Sequence, residues 1–437
     1  MRVVVIGAGV VGAAVAAELA ARGARVTVLE ADHPGAGTTA NSFAWINSAN
    51  KEPEPYFALN HAGMRAHDEL AGEGAPWFFP AGNLEWAVTD RHKEVLAGRV
   101  ARLTARDYPV EWITAEQAGK LEPDLAATPS DAVFAFFPHE AYTLPVLLLS
   151  RLLGAARDRG VRVVGGARVT AIEHGPAGTA VICADGGRYV ADTVVSCAGR
   201  WTQGVAELAG AHVPMADPDL AGSTTVGFLA TTAPTAARLS RVLTGPRLNV
   251  RPDGGGRLLL QALDLDAAAD PATPYAPDGE IATDMLARLP EVLNAAEGTV
   301  VEKVRVGQRA MPGDGFTVAG FPATDVPFYV VATHSGITLA PLLGRLVADE
   351  LHGHESPLLK DFRPGRFTSG EVLPHRLRHA VRASSETGAP VLRDGSGMTG
   401  ASQRAGWPGA VFHQPRPATH RPGFSPWSAG RLCSRAP

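Results

Sequence analysis

Cysteine is scarce in this chain. Among 437 residues only Cys183, Cys197 and Cys433 occur, an odd and widely spaced set with no C-x-x-C pair. A disulfide framework is therefore not expected, no metal site is expected, and a reduced, cytoplasmic protein is the natural reading. Long hydrophobic runs are missing as well: no uncharged apolar stretch reaches the length of about 18 residues that a membrane-spanning helix needs. The apolar start of the chain is interrupted by Glu18 and three spaced glycines, which speaks against a secretion signal. Charge of one sign is also lacking, since the net value is only −4. That argues against nucleic acid as a partner. A chain of this length can bury a sizeable core and divide into two domains.

What is present is concentrated at the front. Arg2–Ile6 is a β-branched run that reads as a buried strand, and Gly7, Gly9 and Gly12 follow at G-x-G-x-x-G spacing. A helix rich in Ala, Leu and Glu is expected over residues 13–22, closed by Gly23, with a second strand at 25–29 that ends on Glu30. Gly7 permits the tight turn, Gly9 lets the backbone approach a pyrophosphate, and Gly12 lets helix and strand pack closely. The first helical amides then bind the anion. Glu30 stands about 20 residues on, where a carboxylate accepts hydrogen bonds from ribose hydroxyls and repels a 2′-phosphate. The unit binds an adenine dinucleotide without saying which one.

The rest of the chain alternates in character. Helical patterns are expected at 56–70, 92–103 and 146–159, and strands at 82–88, 161–164, 167–173 and 189–198. Residues 224–230, 247–251 and 257–261 read as strands separated by turn signals, with a helix at 282–293. A buried strand at 328–332 leads through a polar turn at 334–338 into a helix at 339–351. The rings of Trp77, Phe78, Phe79, Trp86 and Trp112 read chiefly as core packing. From 368 onward the chain is arginine-rich, lysine-free and rich in Pro, Gly and Ser, and disorder is expected there.

The glycine motif, the loop TTANSFAWIN, the run RVVGGARVTAIE, the block DTVVSCAGRWT and the terminal stretch QRAMPGDGFTVAG…THSGITLAP together resemble the D-amino-acid oxidase superfamily. In order and spacing they are similar to glycine and sarcosine oxidases and D-amino-acid dehydrogenases, over roughly residues 1 to 367. The resemblance implies an α/β fold, with a Rossmann-like FAD domain of the glutathione-reductase type assembled from 1–50, 143–210 and 307–367. An α+β substrate domain on an antiparallel sheet would come from 51–142 and 211–306. It further implies that Gly7, Gly9, Val10, Val11, Gly12, Glu30, Ala31, Thr38, Thr39, Phe43, Ala44, Trp45, Val169, Ala198 and Gly199 surround FAD. His334, Ser335, Gly336, Ile337, Thr338 and Leu339 belong to the same set. There a helix start would stabilise the flavin as it gains negative charge.

Arg309 occupies the place of the family's substrate-carboxylate arginine, a role its planar two-pronged donor suits. His334 and Trp45 are candidates for shaping the pocket. Two departures point away from glycine as substrate: Asn249 stands where a carboxylate-binding tyrosine is expected, and the loop THSGIT lacks an arginine. No cysteine lies in the terminal block and His33 precedes the loop that carries covalent histidines, so noncovalent FAD is expected. The implied chemistry is oxidation of a C–N bond to an imine by hydride transfer to flavin N5, from a small amine or amino acid to oxygen or another electron acceptor. A D-amino-acid dehydrogenase with a non-oxygen acceptor and a catalytically silent FAD-binding subunit are the alternatives.

Overall fold

Four β-branched residues in succession, Val3 to Ile6, favour an extended chain that can be buried on both faces, and Arg2–Ile6 lies in the middle of a six-stranded sheet. In the computed structural model, which describes residues 1–323 and 326–369, this strand pairs in parallel with Arg25–Leu29 and Thr193–Ser196. Arg162–Val164 and Phe328–Ala332 extend the parallel array, and Val318–Gly320 closes one edge antiparallel. Helix Val10–Ala21 is buried on almost every side, between this sheet and helices Pro145–Arg157 and Gly336–Leu351. Its alanines and Gly344 allow that approach, since a Cβ on Gly344 would lie 2.8 Å from the Ala14 carbonyl oxygen.

A second sheet has eight strands, in the order Val301–Gln308, Val226–Thr232, Leu258–Gln261, Asn249–Pro252, Val242–Thr244, Asn83–Ala87, Val133–Phe137 and Glu111–Ile113. Its pairs are antiparallel except for Val242–Thr244 beside Asn83–Ala87. Helix Glu280–Arg288 covers it through Ala282 and Met285, which join Trp86, Phe134, Phe228 and Leu260 in one core. Trp77 and Phe78 are also buried in a core, whereas Trp112 is exposed. The fold is thus mixed α/β, with one mainly parallel sheet and one mainly antiparallel sheet.

Three expectations change. The run 189–198 is two strands, not one: Arg188–Ala191 belongs to a three-stranded sheet with Val169–Gly175 and Gly178–Cys183, while Thr193–Ser196 enters the six-stranded sheet. The switch falls at Asp192, whose carboxylate accepts the backbone N–H (2.7 Å) and guanidinium (2.6 Å) of Arg2. The helix expected over 282–293 ends at Arg288 and passes into a 3₁₀ turn, Leu289–Glu291, because Pro290 has no N–H to continue it. The last long helix starts at Gly336, so residues 336–338 form its first turn instead of a preceding loop. The expected disorder from 368 onward falls, apart from 368 and 369, outside the described residues. Among the described residues no helix is long and apolar enough to cross a membrane, and no group of side chains could hold a metal ion.

Candidate active site

A cavity of about 1620 Å³ opens beyond the carboxyl ends of the parallel strands, where Ile6, Leu29, Cys197 and Ala332 reach it. The eight-stranded sheet forms its opposite wall through Gly227, Leu229, Asn249, Gln261 and Gly307. The crevice outside the strand ends is where open α/β sheets bind ligands.

At one end stands the glycine motif. Gly7 has φ +103°, and a Cβ there would lie 2.5 Å from the Cys197 carbonyl oxygen. A Cβ on Gly12 would fall 2.0 Å from the Gly7 carbonyl oxygen, so Gly12 sets the closeness of helix and strand without lining the cavity. Gly9, Val10, Val11, Ala31, Val169, Ala198 and Gly199 do line it. Glu30 is held in place by two backbone donors: Oε2 accepts from Ala8 N–H (2.8 Å) and Oε1 from Asp32 N–H (3.0 Å). Glu30 itself lines the cavity. Thr39 Oγ1 accepts from Val10 N–H (3.0 Å), and the first-turn amides of Val11 and Gly12 have no acceptor within their helix.

Helix Gly336–Leu351 begins beside the glycine motif, with a Cβ on Gly336 falling 3.7 Å from Val11 Cγ2. His334, Ser335, Gly336, Ile337 and Thr338 line the cavity, whereas the Leu339 side chain is fully buried in the core. Ser335 makes no side-chain cap; its hydroxyl pairs with Tyr56 Oη at 2.8 Å. Pro341 lies inside the helix and lacks the N–H that would bond the Ile337 carbonyl. His67 supplies it: Nε2 donates to Ile337 O at 2.8 Å. Burial pushes the His67 ring down to about 4, which keeps it neutral. Tyr56, Gly63 and His67 share one face of helix Glu54–Ala71, and a Cβ on Gly63 would stand 2.7 Å from the Thr338 carbonyl oxygen.

Segment 38–45 connects the two walls. Thr38 Oγ1 donates to Gln308 O at 2.7 Å, and the Phe43 carbonyl accepts from the buried Arg251 Nε. Ala44 adopts φ +55°, a left-handed conformation uncommon for a residue with a Cβ. Trp45 turns its ring to the cavity and donates Nε1–H to Glu140 Oε2 at 2.8 Å. Glu140 is fully buried, accepts Tyr108 Oη–H at 3.0 Å, and is pushed by burial up to about 8.

Arg309 lines the wall of the eight-stranded sheet. Its Nη1 donates to the carbonyls of Thr224 (2.8 Å) and Val226 (2.7 Å), and Nη2 lies 3.4 Å from Asp266 Oδ2. The Nε edge has no hydrogen-bond partner among the described residues, so the guanidinium is anchored on one side and able to donate on the other. Burial raises Asp266 to about 6, against the pull of Arg309 and of the Phe228 N–H. Asn249 Nδ2 donates to Gln261 Oε1 at 3.2 Å on the same wall. His33 is exposed, pairs with Asp32 and does not reach the cavity.

The cavity therefore brings together every residue expected around the cofactor except Gly12 and Leu339. Sequence reasoning passed over His67, Glu140, Asp266 and Lys51. Of these only His67 carried a usable signal, its spacing of four from Gly63 on the buried face of the helix.

These features fit a dinucleotide: a glycine cradle, an oriented carboxylate, and two helix starts, one for an anionic centre and one for a ring that gains charge. Comparison with known proteins agrees. Glycine oxidase of Geobacillus kaustophilus is 25% identical over 371 residues, covering 81% of this chain and 93% of that protein. An N-methyl-L-tryptophan oxidase of Yersinia pestis is 28% identical over 203 residues, 46% of this chain and 54% of its own. The crystal structure of the Geobacillus glycine oxidase superposes with a TM-score of 0.72 at 22% identity, over 84% of this chain and 99% of its own. That of L-proline dehydrogenase from P. horikoshii gives 0.72 at 20%, over 85% and 99%. Residues 2–350 match the family model described as FAD dependent oxidoreductase (DAO), and the chain belongs to that family as an FAD-dependent enzyme of the amino-acid and amine oxidoreductases.

Proposed function

We propose that the enzyme oxidises the C–N bond of an amino acid or related amine to an imine, which water converts to a carbonyl product. The observation that carries this is Arg309: a guanidinium held by two backbone carbonyls and Asp266, with Nε–H making no hydrogen bond among the described residues, on the cavity wall formed by the eight-stranded sheet. Such an edge grips a carboxylate and so fixes which C–H bond is presented. FAD, held noncovalently by the cavity residues, would supply the two-electron oxidant for that C–N bond.

The chain's own groups do the rest. Glu30 would hold the ribose, the amide of Val11 at the helix start would meet the pyrophosphate, and the amides of Gly336 to Thr338 would favour the ring as it gains charge. His334 and the ring of Trp45 shape the space over the reacting carbon. The chemistry needs orientation and a neutral amine more than an acid or base, so the lack of a catalytic dyad is no obstacle. In this reading the six-stranded sheet belongs to the cofactor domain, 1–50, 143–210 and 307–367, and the eight-stranded sheet to the substrate domain, 51–142 and 211–306. Cys183 and Cys197, both free and buried, accord with a reduced, cytoplasmic setting.

The test is Arg309→Lys beside Arg309→Ala, assayed by anaerobic flavin reduction. Loss of charged hydrogen bonds worth about 1.5–3 kcal/mol lowers the reductive rate over apparent affinity roughly 10- to 150-fold in the alanine variant. Lysine recovers part, since it keeps charge but not the fork. Undiminished reduction by amino acids in Arg309→Ala refutes the carboxylate role. Peroxide formation on re-oxidation separates oxygen from another acceptor.

A further inference from the structure

The cavity face of the eight-stranded sheet can be mapped strand by strand from its register. Phe228, Val250 and Leu260 belong to the core under helix Glu280–Arg288, so Gly227, Leu229, Asn249 and Gln261, each one residue along from them, face the cavity they line. The Arg309 guanidinium lies over Gly227, where a Cβ would fall 2.9 Å from Nη2 and 2.5 Å from Asp266 Oδ2. Leu229 is the next residue of that strand on the same face. The register of Ala230 with Leu260 sets Gln261 beside Leu229, and Asn249 stands opposite Gln261 on the following strand. Gln261 is therefore the diagonal neighbour of Gly227, about 7–8 Å away. That gap is the span of a short amino-acid side chain whose carboxylate sits at Arg309.

The next row of this face is closed to a ligand. Arg305 donates to Ala40 O at 2.8 Å and Arg251, two residues on from Asn249, donates to the Phe43 carbonyl, so segment 38–45 covers it. The cations around the open row are engaged: Arg309 with Asp266 (3.4 Å), Arg251 with Asp253 (3.0 Å), and Arg305 with Ala40 O and with Thr231 Oγ1 (3.0 Å). What the row itself presents is neutral. Asn249 Nδ2 donates to Gln261 Oε1 at 3.2 Å, which holds the two amides together. Gln261 Nε2 and Asn249 Oδ1 make no hydrogen bond among the described residues, although Asn249 is only 6% exposed. Turning both amides over leaves the same pattern, one N–H donor and one carbonyl acceptor without partners. Closing an apolar ligand over them leaves both unsatisfied, and a carboxylate sets a lone pair against the carbonyl. A carboxamide brings an acceptor for the donor and a donor for the acceptor.

We propose that Gln261 and Asn249 form the side-chain subsite of the substrate pocket, and that the amino acid oxidised carries a carboxamide on its side chain, with its α-carboxylate on Arg309. The identity of the reacting group rests on the amine-oxidase reading, whereas the amide subsite does not. Gln261→Met keeps length and bulk while removing the amide, and Asn249→Leu does the same one strand away.

The experiment titrates the purified holoenzyme, by calorimetry, with three acids that carry no amine and share one length: glutaramate, glutarate and 5-methylhexanoate. They end in a carboxamide, a carboxylate and an isopropyl group. The native enzyme is expected to prefer glutaramate by about 10-fold or more over each of the others, as two neutral hydrogen bonds allow. Gln261→Met and Asn249→Leu each weaken glutaramate roughly 2- to 12-fold more than 5-methylhexanoate, the range for one such bond. The ratio between probes cancels any general damage to the site. Equal affinity of the native enzyme for the three acids, binding of none, or an equal loss of all three in both variants overturns the proposal. Anaerobic flavin reduction by both enantiomers of glutamine, glutamate and methionine is followed in parallel, and glutamine is expected to be fastest by about 10-fold in rate over apparent affinity. If no amino acid reduces the flavin while the native preference for glutaramate stands, the oxidase reading fails and the amide subsite survives. If amino acids reduce it with no advantage for glutamine, the oxidase reading stands and the proposal fails.

Discussion

The helix start that lines the cavity is bonded by one histidine 270 positions away in sequence, and its contribution can be measured. Pro341 deprives the Ile337 carbonyl of its usual helical donor, and His67 Nε2 replaces it at 2.8 Å. His67→Leu keeps a comparable apolar bulk against Phe78, on which the imidazole stacks, but removes the donor. The buried carbonyl is then left unsatisfied, at a loss of about 1–3 kcal/mol, read as a Tm drop of roughly 1–4 °C for a fold of this size. FAD affinity falls with it, because the amides of Gly336 to Thr338 lose their support.

Two controls isolate the cause. Pro341→Ala restores an N–H to Ile337, so it rescues His67→Leu more than it stabilises the native enzyme, with a coupling of about 0.5–3 kcal/mol. The second control is pH. His67 is held near 4 in the fold against 6.5 for an unperturbed imidazole, so its neutral form stabilises fully above pH 6.5 and that contribution is lost as pH falls towards 4. The slope is at most about 1.4 kcal/mol per pH unit, and His67→Leu removes it. Equal effects of Pro341→Ala in both backgrounds, or an unchanged acid slope, refute the reasoning.

Glu30→Gln keeps an oxygen for one of the two backbone donors but removes the charge, and raises the Kd for FAD roughly 10- to 150-fold; equilibrium dialysis of the apoenzyme checks this. Glu140 is raised to about 8 in the fold from 4.5, so its contribution is complete below pH 4.5 and is lost as pH rises through 8. Glu140→Gln therefore raises Tm relative to the native enzyme more at pH 8 than at pH 5, by thermal unfolding with FAD present.

The legible parts of this protein are the local ones. The strand, turn, helix, strand and acid of residues 2–30 are contiguous, and each residue type there answers to a backbone requirement. The cavity residues carried by the family blocks were likewise placed, apart from Gly12, which packs helix on strand, and Leu339, which is core. What escaped was set by distant partners. Asp192 divides a run that reads as one strand because Arg2, at the far end of the chain, bonds it. Residues 336–338 read as a turn because they are small and polar, whereas in the fold they are the first helical turn, with the Ile337 carbonyl bonded by His67. Asp266, Glu140 and Lys51 are ordinary surface types in the sequence, and it is the fold that sets Asp266 beside Arg309, buries Glu140 and brings Lys51 to the cavity wall.

The central claim is that a carboxylate-bearing amine, oriented by Arg309, delivers a hydride to bound FAD. The most direct measurement mixes native holoenzyme anaerobically with amino acids and with their decarboxylated or esterified analogues, while the flavin absorbance is followed. The account predicts bleaching by one or more amino acids and at least about 10-fold slower reduction by the matching analogues. Equal bleaching by acids and analogues, or bleaching by the analogues alone, would contradict it.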